Sequence, residues 1–547
     1  MKTWSLVLLT LGVPLILSAQ PTIQPKGILN ALGYQNQLAP DTVFVIFGTG
    51  LGPTAIQTAT APYPSTLAGT SVTFVPQPGG AAFTAKMVYS VGTQIAGVLP
   101  SSATPGTYAV SVTYNGQSSP PETVTVVPRS LGIATSNSGG TGAAQATIGN
   151  VAGGISLARM TGGSISFGGY NWTLTPAHPG DEIVLWGTGG GADSANDTGG
   201  SSGDQTAAGN FTVSVAGTTV TPLYSGTSSG YPGLWQVNFI VPANAAADCF
   251  APITVTGGGV QSNSVTIAIA ATGQTSCSTI ISPSTLSKLD SGTGTITMAG
   301  LILGENDISG SATYVVGGVI NQYSVGEFLI PYNGPRIDKC TILHEVYPAG
   351  TKEPSAPDAQ LDAGSMAFTG PGVSLAVPKV QGLLYNATLS SLAAGGSYTL
   401  TASGGPQVAP FSIPTNFLNS FTVTNLSSLA VVNRAQPLTV NWTGSGFDTV
   451  EIQVNTTTET STTVNTLVLN CAVPASLGTY TVPTAALAYL TPGSAQLQVT
   501  ADINNGADIS AESSTNPNNT IKLVNGNLVD FGGWGPYIDH FITATVQ

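Results

Sequence analysis

Oxygen-bearing side chains gather at one place in this sequence. Asp193, Asn196, Asp197 and Asp204 fall within a run rich in glycine and serine. Carboxylates and amides of this kind are what a hard cation such as Ca2+ takes, six to eight oxygens at a time. The spacing is not that of an EF-hand loop, so the run reads either as a calcium loop or as a solvated turn. Asn504, Asn505 and Asp508 form a weaker cluster of the same type. Histidine, the usual acid–base residue near neutral pH, occurs three times: His178, His344 and His540. His178 stands in PAHPGDE, a proline-bounded turn. His344 and Glu345 are neighbours on an expected strand, as are Asp539 and His540. Successive strand side chains point to opposite faces, so neither pair can act jointly. No G-x-S-x-G elbow announces a serine nucleophile. A glycosidase needs two opposed carboxylates, and the carboxylates here read as single residues scattered on loops. The chain therefore reads as non-enzymatic, with no cofactor beyond the calcium just weighed.

Aromatic and sulfur chemistry come next. Trp172, Trp186, Trp235 and Trp442 lie inside strand patterns and belong to cores. Phe531–Tyr537 (FGGWGPY) differs, with aromatics on a glycine-rich turn. Trp534 and Tyr537 there form either a contact tip or a plug for the end of a sandwich. The four cysteines, Cys249, Cys277, Cys340 and Cys471, match no zinc spacing. In an exported chain an even count implies disulfides. Cys249 and Cys277 flank two strands expected to run back to back, which pairs them. Cys340–Cys471 follows by elimination.

Two stretches imitate a phosphate-binding loop: VFVIFGTGLGP at 43–53 and IVLWGTGGGAD at 183–193. Such a loop must open a helix whose first amides hold the anion. The first stretch meets Pro53 at once; the second meets Asp193, a polar loop and no lysine. Both instead begin the same series of elements. After the first come GTSVTF (69–74), MVYS (87–90), TQIAGVLP (93–100), GTYAVSV (106–112) and TVTVV (123–127). After the second come FTVSV (211–215), PLYS (222–225), LWQVNFIVP (234–242), APITV (251–255) and SVTIAI (264–269). Each piece alternates apolar and polar residues, the period of a strand lying on a core. Asn115-Gly116 suits a tight hairpin turn. Short strands between turn signals indicate β-sandwiches, and the glycines read as sharp exits from buried strands.

Composition agrees. Only 7% of residues are charged, while 68 glycines and 37 prolines punctuate the chain. A net charge of −13 with 12 Lys and Arg offers no basic stripe for nucleic acid or for an anionic membrane. The start, MKTWSLVLLTLGVPLILSAQ, reads as a secretory signal peptide cut after Ala19. Its apolar stretch is too short to span a bilayer comfortably, and no later segment is expected to span one as a helix.

The "V.I.FGTGLG" opening, GTSVTF, TQIAGVLP and PGTYAVSVTYNGQSS make the first unit resemble an IPT/TIG-type immunoglobulin-like domain. ILNALGYQNQLAPDTVFVIFGTGLGP (28–53), GTGAAQATIGN (140–150), LTPAHPGDEIVLWGTGGG (174–191), YPGLWQVNFIVP (231–242) and GGGVQSNSVTIAIA (257–270) resemble secreted domains abundant in acidobacteria, of Solibacter type. The resemblance covers about half the chain. It implies export from a bacterium and an immunoglobulin-like fold, and it implies no activity.

The reading is thus an all-β chain of tandem immunoglobulin-like (IPT/TIG-type) β-sandwiches. The signal peptide occupies 1–19, the first sandwich 29–128 and the second, with an N-terminal extension, 129–278. A β-rich third domain follows at 279–420. A fourth sandwich at 421–547 contains RAQPLTVNWTGSGFDTVEIQV and TLVLNCAVPASLGTYTVP. The expected role is structural or adhesive, toward an extracellular protein or polysaccharide. The rival is a carbohydrate-binding or carbohydrate-processing protein.

Overall fold

Alternating side chains pack one face of each strand against a second layer, and that rule builds the first 270 residues twice. A computed structural model describes residues 20–149, 157–167, 170–278, 281–308, 311–503 and 520–547. The expected signal peptide and the Asn504–Asp508 cluster lie outside the described residues. In the first sandwich one sheet orders Thr22–Asn30, Val43–Thr49, Gln94–Val98 and Lys86–Val91, with Gln57–Thr58 at its edge. The facing sheet orders Gln37–Leu38, Glu122–Val126, Gly106–Tyr114, Thr70–Gln77 and Phe83–Thr84. The second sandwich repeats the scheme. One sheet holds Gly132–Ile133, Glu182–Thr188, Trp235–Ile240 and Tyr224–Thr227. The other holds Gly142–Ala143, Val265–Ile269, Asp248–Gly257, Thr212–Val215 and Thr218–Val220.

The correspondence extends to single bonds. In each unit a two-residue strand joins the last strand in parallel, within otherwise antiparallel sheets. In each a serine closes the hairpin: Val112 N donates to Ser119 Oγ, and Val255 N to Ser262 Oγ. The fold is all-β, made of tandem immunoglobulin-like sandwiches.

The glycine stretches do what backbone geometry requires. Gly50 has φ +65°, Gly189 +88° and Gly191 +123°, a region costly for residues with a Cβ. Gly190 is needed for space, since a Cβ there would lie 2.2 Å from the Trp235 ring. Gly190→Ala is expected to cost about 1–3 kcal/mol by overpacking, read as a lower thermal midpoint. The first helical turn after Gly191 is the three-residue 3-10 segment Asn196–Thr198, too short to present an anion site.

The second half departs from expectation. A twelve-stranded sheet runs through Arg336–Ile337, Cys340–Pro348, Thr463–Pro474, Thr449–Glu459, Gly493–Asp502, Phe531–Val546, Thr295–Ile308, Ser311–Ser324, Leu384–Leu389 and Lys379–Gln381, with two short strands off this path. One face is covered by two smaller sheets. The first holds Val373–Val377, Met366–Gly370, Ser397–Ala402 and Phe411–Asn416; the second holds Ser420–Val423, Leu438–Ser445 and Thr479–Val482. A single hydrophobic cluster extends from Ala299 to Val546. The expected boundary at 420 therefore separates the two covering sheets but not two folded units. The reason is one long-range pairing: Thr295–Ile308 lies parallel to Phe531–Val546, a juxtaposition that no local pattern encodes. Helix Pro283–Ser291, capped by the Ser282 side chain accepting from Thr285 N, leads into this third unit.

Both expected disulfides are present, Cys249–Cys277 and Cys340–Cys471. Cys340 and Cys471 sit directly opposite each other on neighbouring strands.

Candidate functional site

The acidic loop leaves the second sandwich at Thr188 and crosses to the first. Each of its four candidate ligands already holds protein donors. Asp193 accepts from Ser202 N at 2.9 Å, from Ala195 N at 3.1 Å, and from the Ser202 and Thr227 hydroxyls. Asn196 Oδ1 accepts from Gly233 N at 2.6 Å, and Nδ2 donates to Gly200 O at 2.9 Å. Asp197 accepts from the amide and hydroxyl of Ser101, in the first sandwich. Asp204 accepts from Thr206 N and Ser225 N, both at 3.0 Å, and from Thr206 Oγ1 at 2.6 Å. Burial would raise Asp193, yet hydrogen bonds from Ser202, Thr227 and Ala195 hold its carboxyl below the usual range. The Thr206 hydroxyl and Ser225 amide do the same for Asp204. Among the described residues no group of three or more His, Cys, Asp or Glu is disposed to hold a metal ion. In this structure the oxygens of the loop accept from N–H and O–H donors of the protein, which gives the four residues a structural role.

What the loop does hold is the neighbouring sandwich. The Asp193 amide donates to Asp41, which is 2% exposed and has a φ of +61°. Burial, then the charges of Asp197 and Asp193, push the Asp41 carboxyl up to about 7. Around it, Asn30 Nδ2 donates to Ser130 O at 3.0 Å and to Thr188 O at 3.2 Å. Its Oδ1 takes the amides of Leu32 and Gly33. Val43 N donates to Thr188 Oγ1 at 2.7 Å. Buried polar groups of this kind are costly to leave unmatched. Asn30→Ala is expected to cost about 2–3 kcal/mol. Scanning calorimetry should show it splitting one unfolding transition of the paired sandwiches into two.

The expected aromatic tip lies elsewhere than on a turn. Residues 531–537 belong to the strand Phe531–Val546, in the middle of the large sheet. Trp534 is fully buried in the core. Tyr537 is half-buried on the opposite face, and its hydroxyl donates to Asn306 Oδ1 at 3.1 Å. Its ring fills the space above Gly304, where a Cβ would lie 2.1 Å away. Gly532, Gly533 and Gly535, which read as a turn, are strand positions.

That face also carries what the sequence reading missed. Glu451, Thr500 and Asp539 stand in register across three neighbouring strands, with Asp502 one step along. These carboxylates had read as isolated loop residues. Burial, followed by the charges of Glu451, Asp448 and Asp539, pushes Asp502 up to about 7. Burial pushes Asp539 up to about 6, against hydrogen bonds from Thr500 and Gln498. Glu451 is raised by burial, opposed by Asn470. Carboxyl groups that burial raises toward neutrality are suited to proton transfer.

The histidines are occupied otherwise. His178 lies 3.4 Å from Asp181 and 2.8 Å from Gln274 O. His344 contacts Asn465, and its neighbour Glu345 points to the other face, where it accepts from Ser355. His540 faces Asp307 at 3.2 Å and Phe421 O, while Asp539 faces Thr500 and Gln498. The opposite-face argument from strand geometry holds at both pairs.

Fold and contacts together define an all-β protein of tandem immunoglobulin-like sandwiches joined to a large mixed sheet. No family model and no curated protein matches the chain. Solved structures show likenesses of fold. SGBP-B of the Bacteroides ovatus mixed-linkage glucan utilization locus, in complex with a heptasaccharide, is 11% identical over 44% of this chain and 46% of its own, with TM-score 0.20. The FN1–FN3 domains of chicken CNTN1 are 9% identical over 73% of this chain and 100% of theirs, with TM-score 0.13. The four N-terminal Ig domains of Dscam1 isoform 6.44 are 10% identical over 97% of this chain and 99% of theirs, with TM-score 0.12. The chain spans less than half the length of the first of these. None of the three carries an argument about activity.

Proposed function

We propose that the chain works outside the cell as a non-catalytic, multidomain binding protein of structural or adhesive kind. Its stacked sandwiches would hold loop surfaces toward an extracellular protein or polysaccharide. The observation that carries this reading is the junction at Asn30, Asp41, Thr188 and Asp193, whose buried hydrogen bonds fix two sandwiches to each other. A fixed junction suits a protein that positions surfaces at a distance. The two disulfides suit an oxidising space, and the signal-like start suits export. The test is retention of the labelled, purified chain on intact bacteria and on their extracellular matrix. Failure to be retained on either would sink the adhesive reading.

One observation favours a second reading, carbohydrate processing: Asp502 and Asp539 lie on adjacent strands with their carboxyls near 7 and 6. A hydrolase screen decides it. The non-catalytic reading expects no turnover. Turnover lost in Asp502→Asn or Asp539→Asn would replace it with the second.

A further inference from the structure

A cleft of about 270 Å3 opens between the second sandwich and the third unit. That is near the lower end of small-ligand sites, which form preferentially where folded units meet. We propose that this cleft binds a neutral, polyhydroxylated ligand: a sugar unit of a glycan chain. The proposal gives a ligand class to the binding role proposed above and rests on that reading.

The two walls come from different units. On the second sandwich, Ser214 and Thr254 are opposed in register on neighbouring strands, so both hydroxyls stand on one face. Gln261 adds an amide there, its Nε2 donating to Thr254 Oγ1 at 3.1 Å. The third unit supplies Arg336, Asp338 and Tyr489. Arg336 is fixed at its main chain: Ser264 Oγ donates to its carbonyl at 3.0 Å and takes its amide at 3.3 Å. Its guanidinium donates to Phe250 O and lies 3.8 Å from Asp248. Asp338 accepts from the Tyr480 hydroxyl at 2.7 Å.

The guanidinium and carboxylate of the cleft are thus each held by other partners. Among the described residues no ion pair joins Arg336 to Asp338. Both signs of charge line the same small space. An anionic ligand would meet Asp338 and a cationic one Arg336. A hydroxyl group both donates and accepts, so a neutral polyol satisfies both walls and gains charge-assisted bonds. Tyr489 is 45% exposed. Its ring offers the apolar surface on which the C–H face of a sugar rests, with a hydroxyl at the edge. A site held in place by its own structural contacts loses little freedom on binding.

The full chain is to be titrated calorimetrically with neutral gluco-, manno-, xylo- and N-acetylglucosamine oligosaccharides. Uronic-acid and sulfated oligosaccharides serve as charged controls. At least one neutral series should bind with Kd below about 1 mM. Tyr489→Ala and Gln261→Ala should each weaken it about tenfold. Both side chains are at the surface, so thermal midpoints should not move. The proposal is overturned if no neutral series binds, if only charged ones bind, or if both variants bind like the parent. Cell-surface retention is measured on the same proteins. A chain that is retained yet binds no neutral oligosaccharide refutes the cleft assignment and leaves the adhesive role standing; a chain that binds the oligosaccharide but is not retained does the reverse.

Discussion

Lowering the pH from about 8 to about 5 should make this protein more stable, by a few kcal/mol. The sign follows from three carboxyl groups. Asp41 and Asp502 are pushed up to about 7 and Asp539 to about 6 in the folded chain, whereas a free aspartate titrates near 4. Between those values the folded state keeps protons that the unfolded state has released. Stability therefore falls as the pH rises through this window and levels off above about 7. A carboxyl that titrates one pH unit higher when folded contributes about 1.4 kcal/mol, but Asp502 and Asp539 repel each other, so their contributions do not add. Asp193 and Asp204, held low by hydrogen bonds, act in the opposite sense and only below about pH 4. The optimum should thus fall near pH 4–5, roughly where the two sets meet. Asp502→Asn removes one buried charge and should raise the thermal midpoint at about pH 8 while flattening the pH profile. A variant that melts lower at that pH, with the profile unchanged, would refute the assignment.

Replacing Cys340 and Cys471 together by alanine should destabilise the chain by about 3–5 kcal/mol. The bridge closes a loop of 131 residues, against 28 for Cys249–Cys277. In the chain-entropy account, longer loops constrain the unfolded ensemble more. Cys340 and Cys471 are both buried, so alanine adds a small packing loss. The Cys249/Cys277 double variant should lose less. Denaturant midpoints of the two variants compare them directly, and an equal or reversed ranking would refute the loop-length argument.

What the sequence revealed was whatever has a short period. Trp235, Val237, Phe239 and Val241 alternate with Gln236, Asn238 and Ile240, and the first four are buried, so the second sandwich could be aligned on the first strand by strand. The Cys249–Cys277 bridge was legible too, since Cys249 lies on the strand Asp248–Gly257 and Cys277 follows its neighbour Val265–Ile269. The glycines of 48–52 and 187–191 could be assigned to backbone geometry because the helix a phosphate loop requires was missing from the pattern. The signal Ser282-Pro283, a cap followed by proline at the first helical position, was present and went unread. The shared large sheet was not legible. Gly532, Gly533 and Gly535 look like a turn, and only the distant partner Thr295–Ile308 makes them a strand. The carboxylate face was hidden likewise: Glu451, Asp502 and Asp539 are far apart in sequence and meet only through strand register. The contacts of the acidic loop were hidden in another way. Its composition suits a cation, and the sequence does not show the donors that its oxygens meet from Ser101, Ser202, Thr227 and Gly233.

The parallel seam between Thr295–Ile308 and Phe531–Val546 sets an order of assembly. During synthesis the earlier strand emerges long before its mate. Until then one of its edges stands unmatched, a template for mispairing with other copies. Nascent chains halted short of Phe531 should clump or be degraded even though both leading sandwiches have matured, and a holdase that shields naked strand margins would be the natural remedy.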